Sequence, residues 1–258
     1  MPTVAALPAP PERFDRPIAL FLDVDGTLVE LEHEPDAVEV APALRRHLGE
    51  LDQRLDGALA LISGRPIAQL DALFGPLHLS AAGLHGLERR NVHTGRNEHT
   101  EPPEGIGRIK RALQHFASGH PGVMLEDKGV TLALHYRQAP AVEAEATALA
   151  EQLAEQANGA VIVLRGKKVL ELKPPGIDKG RAVAAFLAEA PFAGQLPVFA
   201  GDDVTDEAGF AAVNERGGLS LRVGVDGRAT QARHGLADVT AMHAWLATLA
   251  AAELALDG

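Results

Sequence analysis

Short apolar runs alternate along this chain with stretches in which an apolar residue returns every third or fourth position. Ile18-Ala19-Leu20-Phe21-Leu22 is uninterrupted and predicts a buried strand, closed by the turn at Gly26. Leu44, Leu48, Leu51 and Leu55 follow Pro42 at helical spacing. A second apolar run over 58–62 ends at Ser63-Gly64-Arg65, a short helix is expected over 66–74, and 78–83 predicts a third strand. This β-α-β-α-β order is that of a parallel sheet with helices on its faces.

The pattern then changes. Residues 89–104 are polar and contain Gly95, Pro102 and Pro103, so a hairpin or linker is expected. Ile106, Ile109, Leu113 and Phe116 mark an amphipathic helix. Strands over 123–126 and 130–136 flank Asp127-Lys128-Gly129, a hairpin turn. Val142, Leu149 and Leu153 mark another helix, and strands over 161–164 and 169–172 flank Arg165-Gly166-Lys167-Lys168. Beyond Pro174-Pro175 the first pattern resumes. A helix carries Val183, Phe186 and Leu187, a strand over 197–200 runs into Gly201-Asp202-Asp203, and a helix over 207–213 precedes a strand over 220–225. The expected fold class is therefore α/β: a doubly wound, Rossmann-like parallel-sheet core in two parts, 1–103 and 174–258, with a smaller α+β cap inserted over 104–173.

Composition narrows the classes of partner. The 258 residues are 46% hydrophobic, enough for a packed core. The net charge is -11, with 24 Lys+Arg against 35 Asp+Glu, so neither nucleic acid nor an anionic membrane is an expected partner. Without cysteine, disulfides, thiolate catalysis and Cys-ligated zinc are excluded. The first 17 residues hold five prolines and lack a signal-peptide pattern; a loose tail is expected there. The Ala-rich stretch over 241–256 is interrupted by His243 and Glu253, which predicts a packed terminal helix rather than a membrane span. A cytoplasmic monomer is the expectation.

The chemistry concentrates where apolar strands end in carboxylates. Asp23 and Asp25 follow the first strand two residues apart, a spacing that turns both side chains to one side. Gly201-Asp202-Asp203-Val204-Thr205-Asp206 repeats that arrangement later. In open α/β sheets such strand ends converge on the ligand site. Two like charges about 4 Å apart repel by about 4 kcal/mol at an effective dielectric near 20, so clustered aspartates call for a cation. Hard oxygen donors favour Mg²⁺ over zinc. Taken singly, Asp202 to Asp206 also reads as a helix cap and polar turn, Ser63 as a helix cap, and Lys179 as a surface lysine at a helix start.

Taken in order, Asp23-x-Asp25, Ser63, Lys179 and Gly201-Asp202-Asp203 resemble the four motifs of the haloacid-dehalogenase-like phosphatases. Leu61-Ile62-Ser63-Gly64-Arg65, Gly83-Leu84-His85-Gly86-Leu87-Glu88, Glu126-Asp127-Lys128, His135-Tyr136-Arg137, Val169-Leu170-Glu171-Leu172-Lys173 and Gly201-Asp202-Asp203-Val204-Thr205-Asp206-Glu207 are similar to the trehalose-6-phosphate phosphatases. The resemblance covers roughly 18–225. It implies an aspartyl-phosphate mechanism, with Asp23 as nucleophile, Asp25 as acid and base, and Ser63, Gly64 and Lys179 on the phosphate. It also implies Mg²⁺ held by Asp23, Asp25, through its backbone carbonyl, Asp202 and Asp203, with Asp206 ligating the metal or orienting a ligand from behind. Arg65, Gly83, His85 and Gly86 on the core, and Glu126, Lys128 and Glu171 on the cap, are expected to line the sugar cleft. The sequence departs from the family pattern at Ala208-Gly209-Phe210, where an acidic residue is expected soon after Glu207. A phosphatase of another sugar phosphate, such as sucrose 6-phosphate, would share the core, and a silent sugar-phosphate sensor would be expected to have lost one of the core groups.

Overall fold

The computed structural model describes residues 7–31, 39–166, 168–225 and 227–252. The chain divides into two compact units, Met1–Glu98 with Asp178–Gly258, and His99–Ile177.

In chain order, the first unit opens with β1 (Ile18–Leu22), α1 (Pro42–Arg54), β2 (Leu59–Ile62), α2 (Ile67–Phe74), β3 (Ser80–Gly83), β4 (Glu88–Asn91) and β5 (Arg96–His99). The second unit follows with α3 (Ile106–Gly119), β6 (Met124–Asp127), β7 (Leu132–His135), α4 (Glu143–Gln156), β8 (Ile162–Gly166) and β9 (Val169–Lys173). The first unit then resumes with α5 (Lys179–Leu187), β10 (Leu196–Gly201), α6 (Glu207–Asn214), β11 (Leu219–Val223), β12 (His234–Leu236) and α7 (Val239–Ala251).

Eight strands form the large sheet in the order β12-β11-β10-β1-β2-β3-β4-β5. The six from β12 to β3 are parallel, and β4 turns back antiparallel on β3. From the central pair the chain winds outward both ways, β1 to β2 and β3, and β10 to β11 and β12. Right-handed crossovers in opposite directions put α1 and α6 on opposite faces of the sheet, the doubly wound arrangement. Every residue of β1 is buried, as a strand covered on both faces requires. Phe21 stacks on Phe192 with centroids 5.5 Å apart, and Phe192 lies 4.8 Å from Phe186 of α5. A buried side chain of this size stabilises the fold by roughly 1.5–3 kcal/mol.

The polar stretch after β3 forms the hairpin β4–β5, which extends the large sheet. The expected loose tail is corrected over its described part. The carbonyls of Pro8, Pro11 and Pro17 accept hydrogen bonds from Gly235 N–H, the Trp245 indole N–H and Leu196 N–H, and Phe14 packs on the core. Proline lacks a donor but keeps its carbonyl, so a proline-rich segment can be tied down without joining a ladder. The terminal helix is α7, which buries Val239, Met242, Trp245, Leu246, Leu249 and Ala250; the part of that expectation beyond residue 252 lies outside the described residues. Among the described residues no helix is long and apolar enough to cross a membrane.

The second unit is a four-stranded antiparallel sheet, β6-β7-β9-β8. One face is apolar: Leu132, Leu134, Tyr136, Leu170 and Leu172 pack with Ile109, Leu113 and Phe116 of α3 and with Ala146, Ala150 and Leu153 of α4. Strand alternation turns the intervening residues to the other face. There Ala133 pairs across the strands with Glu126 on one side and Glu171 on the other. The β6–β7 turn is fixed by Asp127 Oδ1, which accepts from Gly129 N–H at 2.9 Å. Val142, expected to be helical, falls in a short 3-10 turn just before α4. The turn between β8 and β9 includes Lys167, outside the described residues.

Candidate active site

Asp23 follows β1 directly and Asp202 follows β10, so both stand at the carboxyl ends of the adjacent central strands, where the winding reverses. The Asp23 N–H donates to Ala200 O at 3.0 Å, holding the two strand ends together. Two glycines keep this crossing tight. Gly26 has φ +84, and a side chain there would collide with the Asp202 carboxylate; one at Gly201 would collide with that of Asp206.

Lys179, the first residue of α5, is buried, with its Nζ 2.6 Å from Asp23 Oδ1 and 2.6 Å from Asp206 Oδ1. The side chain of Asp178 caps the same helix by accepting from Arg181 N–H. Asp206 is wholly buried, and its Oδ2 accepts from the N–H groups of Asp202 and Asp203 at 3.0 and 2.9 Å. Thr27 Oγ1 donates to Asp23 Oδ2 at 3.1 Å. One oxygen from each of Asp23, Asp202 and Asp206 lies within 4.8 Å of the others.

Burial pushes the Asp23 carboxyl well above its ordinary range, helped by Asp206 and Asp202 and opposed by Lys179. Burial and the neighbouring Asp206 push Asp202 up to about 6. On Lys179, burial alone would favour the neutral amine; Asp206 and Asp23 outweigh it and hold the ammonium. With all three carboxylates ionised, one ammonium leaves an excess of two negative charges, the repulsion that adds to burial in raising Asp23 and Asp202. An all-oxygen donor set with that excess fits a divalent cation, which the cluster can hold.

A second group of contacts orders the loop after β2. Both oxygens of Asp25 accept from Arg65, from Nε at 2.8 Å and from a terminal nitrogen at 2.7 Å. Ser63 is buried, and its Oγ accepts from Arg65 N–H at 3.1 Å. The loop is stitched to the end of β3: His85 N–H donates to Ser63 O, Leu84 N–H to Arg65 O, and Ile67 N–H to Glu88 Oε2. Leu84 and His85 are both left-handed, with φ 51 and 58, and a side chain on Gly64 would press on the His85 ring. Two successive non-glycine residues in that region are costly and persist where their surroundings hold them. Gly86, at φ 107, completes the turn.

The structure thus gathers Asp23, Lys179, Asp202 and Asp206 at one point, and joins Asp25 to Arg65 and Ser63 to the His85 loop. Asp203 lies outside the carboxylate cluster. Its side chain is half exposed, pairs with Arg228 at 2.9 Å, and joins Asp206 in a reciprocal cap on the turn 204–206. Glu126, Lys128 and Glu171 belong to the second unit. Glu126 Oε1 faces Lys128 Nζ at 3.7 Å, and its Oε2 lies 3.0 Å from His135 Nε2. The hydrogen bond from His135 is the main cause holding the Glu126 carboxyl below its usual range. Thr27, Glu88 and His135 were not singled out from the sequence, although Glu88 and His135 lie inside motif strings and Thr27 follows Asp23-x-Asp25 closely.

The trehalose-phosphatase family model matches residues 21–240. Trehalose-6-phosphate phosphatase of Escherichia coli (strain K12) is 46% identical over 229 residues, covering 88% of this chain and 85% of that one. The C-terminal domain of Candida albicans trehalose-6-phosphate phosphatase superposes with a TM-score of 0.79 at 23% identity, over 95% of this chain and 98% of that one. A haloacid-dehalogenase-like hydrolase from Bacteroides thetaiotaomicron has a TM-score of 0.62 at 16% identity, over 90% and 98% of the two chains. The last two share the fold.

Proposed function

The chain belongs to the trehalose-phosphatase family of phosphoric monoester hydrolases, and on that premise we propose that it converts trehalose 6-phosphate and water to trehalose and inorganic phosphate, with Mg²⁺ and through an aspartyl-phosphate intermediate. The observation that carries this reading is the buried contact of Asp23 with Lys179, beside Asp202 and Asp206. A carboxylate held by a lysine at a strand end is placed to meet a dianionic phosphoryl group.

In this reading Asp23 attacks phosphorus as the bond to the sugar oxygen breaks, and Asp25 delivers a proton to that oxygen. Asp25 then takes a proton from the water that attacks phosphorus, and phosphate leaves Asp23. Lys179 steadies the charge on the phosphoryl oxygens, and Ser63 and Gly64 contact them. Asp23, Asp202 and the backbone carbonyl of Asp25 would hold Mg²⁺, with Asp206 and Asp203 behind them; when bound, the ion offsets charge on the transferring group. Asp206 already spends both oxygens on Lys179 and on two N–H groups, which favours an orienting role for it. Arg65, Glu126, Lys128 and Glu171 carry charged donors and acceptors suited to sugar hydroxyls, and His85 and Gly86 are further candidate contacts.

The test is phosphate release from trehalose 6-phosphate, sucrose 6-phosphate and glucose 6-phosphate, with Mg²⁺ and with a chelator. Chelator-sensitive preference for trehalose 6-phosphate is expected. Preference for another sugar would keep the chemistry and overturn the substrate; no turnover of any would favour a sensor.

A further inference from the structure

We propose that His135 is a positioning residue for sugar recognition, fixing the carboxylate of Glu126 in the orientation in which it receives a sugar hydroxyl. The inference rests on the reading of Glu126 as a sugar-binding group.

On the open face of the second unit's sheet, Glu126 and His135 are diagonal neighbours: Glu126 pairs with Ala133, and His135 pairs with Met124 in the next row. Diagonal neighbours on antiparallel strands lie within reach of long side chains. Here His135 Nε2 and Glu126 Oε2 stand 3.0 Å apart. An ionised carboxylate has no proton to give, so Nε2 is the donor. The other oxygen, Oε1, faces Lys128 Nζ. A hydrogen bond on one oxygen and an ammonium 3.7 Å from the other restrict the rotation of the carboxylate, on a side chain that is otherwise 38% exposed.

A glutamate side chain in water samples many rotamers, and ordering it on binding costs affinity. His135 is anchored on a strand whose flanking residues, Leu134 and Tyr136, are buried in the unit's core. It therefore transmits the rigidity of that core to Glu126. Glu126 still has a lone pair on each oxygen for a hydroxyl, since each can accept more than one bond. The shift of Glu126 toward its ionised form agrees with this arrangement.

The test compares His135→Leu, which keeps bulk without a donor, with His135→Gln, whose amide nitrogen can reach the position of Nε2. Each is assayed on trehalose 6-phosphate and on p-nitrophenyl phosphate, which has no sugar. Loss of a hydrogen bond to a charged group is expected to raise KM for trehalose 6-phosphate about tenfold in His135→Leu. Little change is expected in kcat, or in either constant for p-nitrophenyl phosphate, which also reports that the variant is folded. His135→Gln should recover most of the loss. His135→Ala replaces the leucine variant if the latter does not fold. Unchanged KM in the variant without a donor, or failure of His135→Gln to recover it, overturns the inference. A parallel Glu126→Gln variant separates the two levels: if it leaves KM for trehalose 6-phosphate unchanged, the reading of Glu126 itself fails.

Discussion

Arg65 grips Asp25 with two parallel hydrogen bonds, 2.8 and 2.7 Å long, one to each carboxylate oxygen. Both oxygens accept, as in an ionised carboxylate. That state suits the second half of the proposed reaction, in which Asp25 takes a proton from water. In the first half Asp25 must donate, so one oxygen has to leave the guanidinium fork. Removal of the fork should therefore slow hydrolysis of the aspartyl phosphate more than its formation. Arg65→Ala is expected to lower kcat on the order of 10²-fold, since small misplacements of a catalytic group cost about that much. The phosphorylated enzyme should accumulate on rapid acid quench. Arg65→Lys should recover little, because a point charge cannot hold both oxygens in one plane.

Lys179 is the cation buried between Asp23 and Asp206. Lys179→Met leaves two buried carboxylates facing each other. Breaking a buried ion pair from one side costs about 3–5 kcal/mol, so the urea midpoint should fall with little change in slope. Asp23→Asn takes away one of the crowded charges instead. It should fold, with turnover almost abolished, which urea unfolding and a phosphate-release assay would show together.

The excess negative charge at Asp23, Asp202 and Asp206 predicts stabilisation by the ion it attracts. At a Mg²⁺ concentration about 100 times its dissociation constant, linkage gives about 2.7 kcal/mol. The melting temperature should rise with Mg²⁺ and fall back with chelator. Asp202→Asn should lose most of the rise, whatever its activity.

Away from the site, Arg90 holds both oxygens of Asp71, at 2.8 and 2.7 Å, and this lowers the Asp71 carboxyl below its usual value of 3.8. A carboxyl depressed in the folded state contributes stability that is present above 3.8 and lost as the pH falls through the lower, folded value. The pair is partly exposed, so its worth is at most about 1 kcal/mol. Asp71→Asn should lower the urea midpoint at pH 7, and its difference from the parent protein should shrink as the pH falls below 3.8.

Most of the fold was legible because buried parallel strands announce themselves as unbroken apolar runs. β12 was not: His234-Gly235-Leu236 has no run to show, and its pairing with β11 comes from tertiary context. The anchoring of 7–17 was hidden because carbonyl acceptors leave no trace in composition. In the candidate site, the places of Asp23 and Asp202 at strand ends and of Lys179 at a helix start were legible from the apolar pattern. What spacing could not express is which carboxylate meets which cation. Asp203 and Asp206, three residues apart, end with Arg228 at the surface and with Lys179 in the interior.

The central pairing of Ile18 with Leu196 has a consequence for how the molecule comes into being. A chain emerging from the ribosome presents β1 long before β10 exists, whereas the second unit is continuous and has all its strands by Lys173. Contacts between residues distant in sequence form late, and nascent domains fold as their segments become available. The second unit can therefore fold while the first is still half made, and the Phe21 strand, with β2 available early on one edge, must wait for β10 on the other. Asp23 acquires Lys179 and Asp202 only at that last closure, so a truncated product of translation carries the aspartate without the surroundings that would let it react.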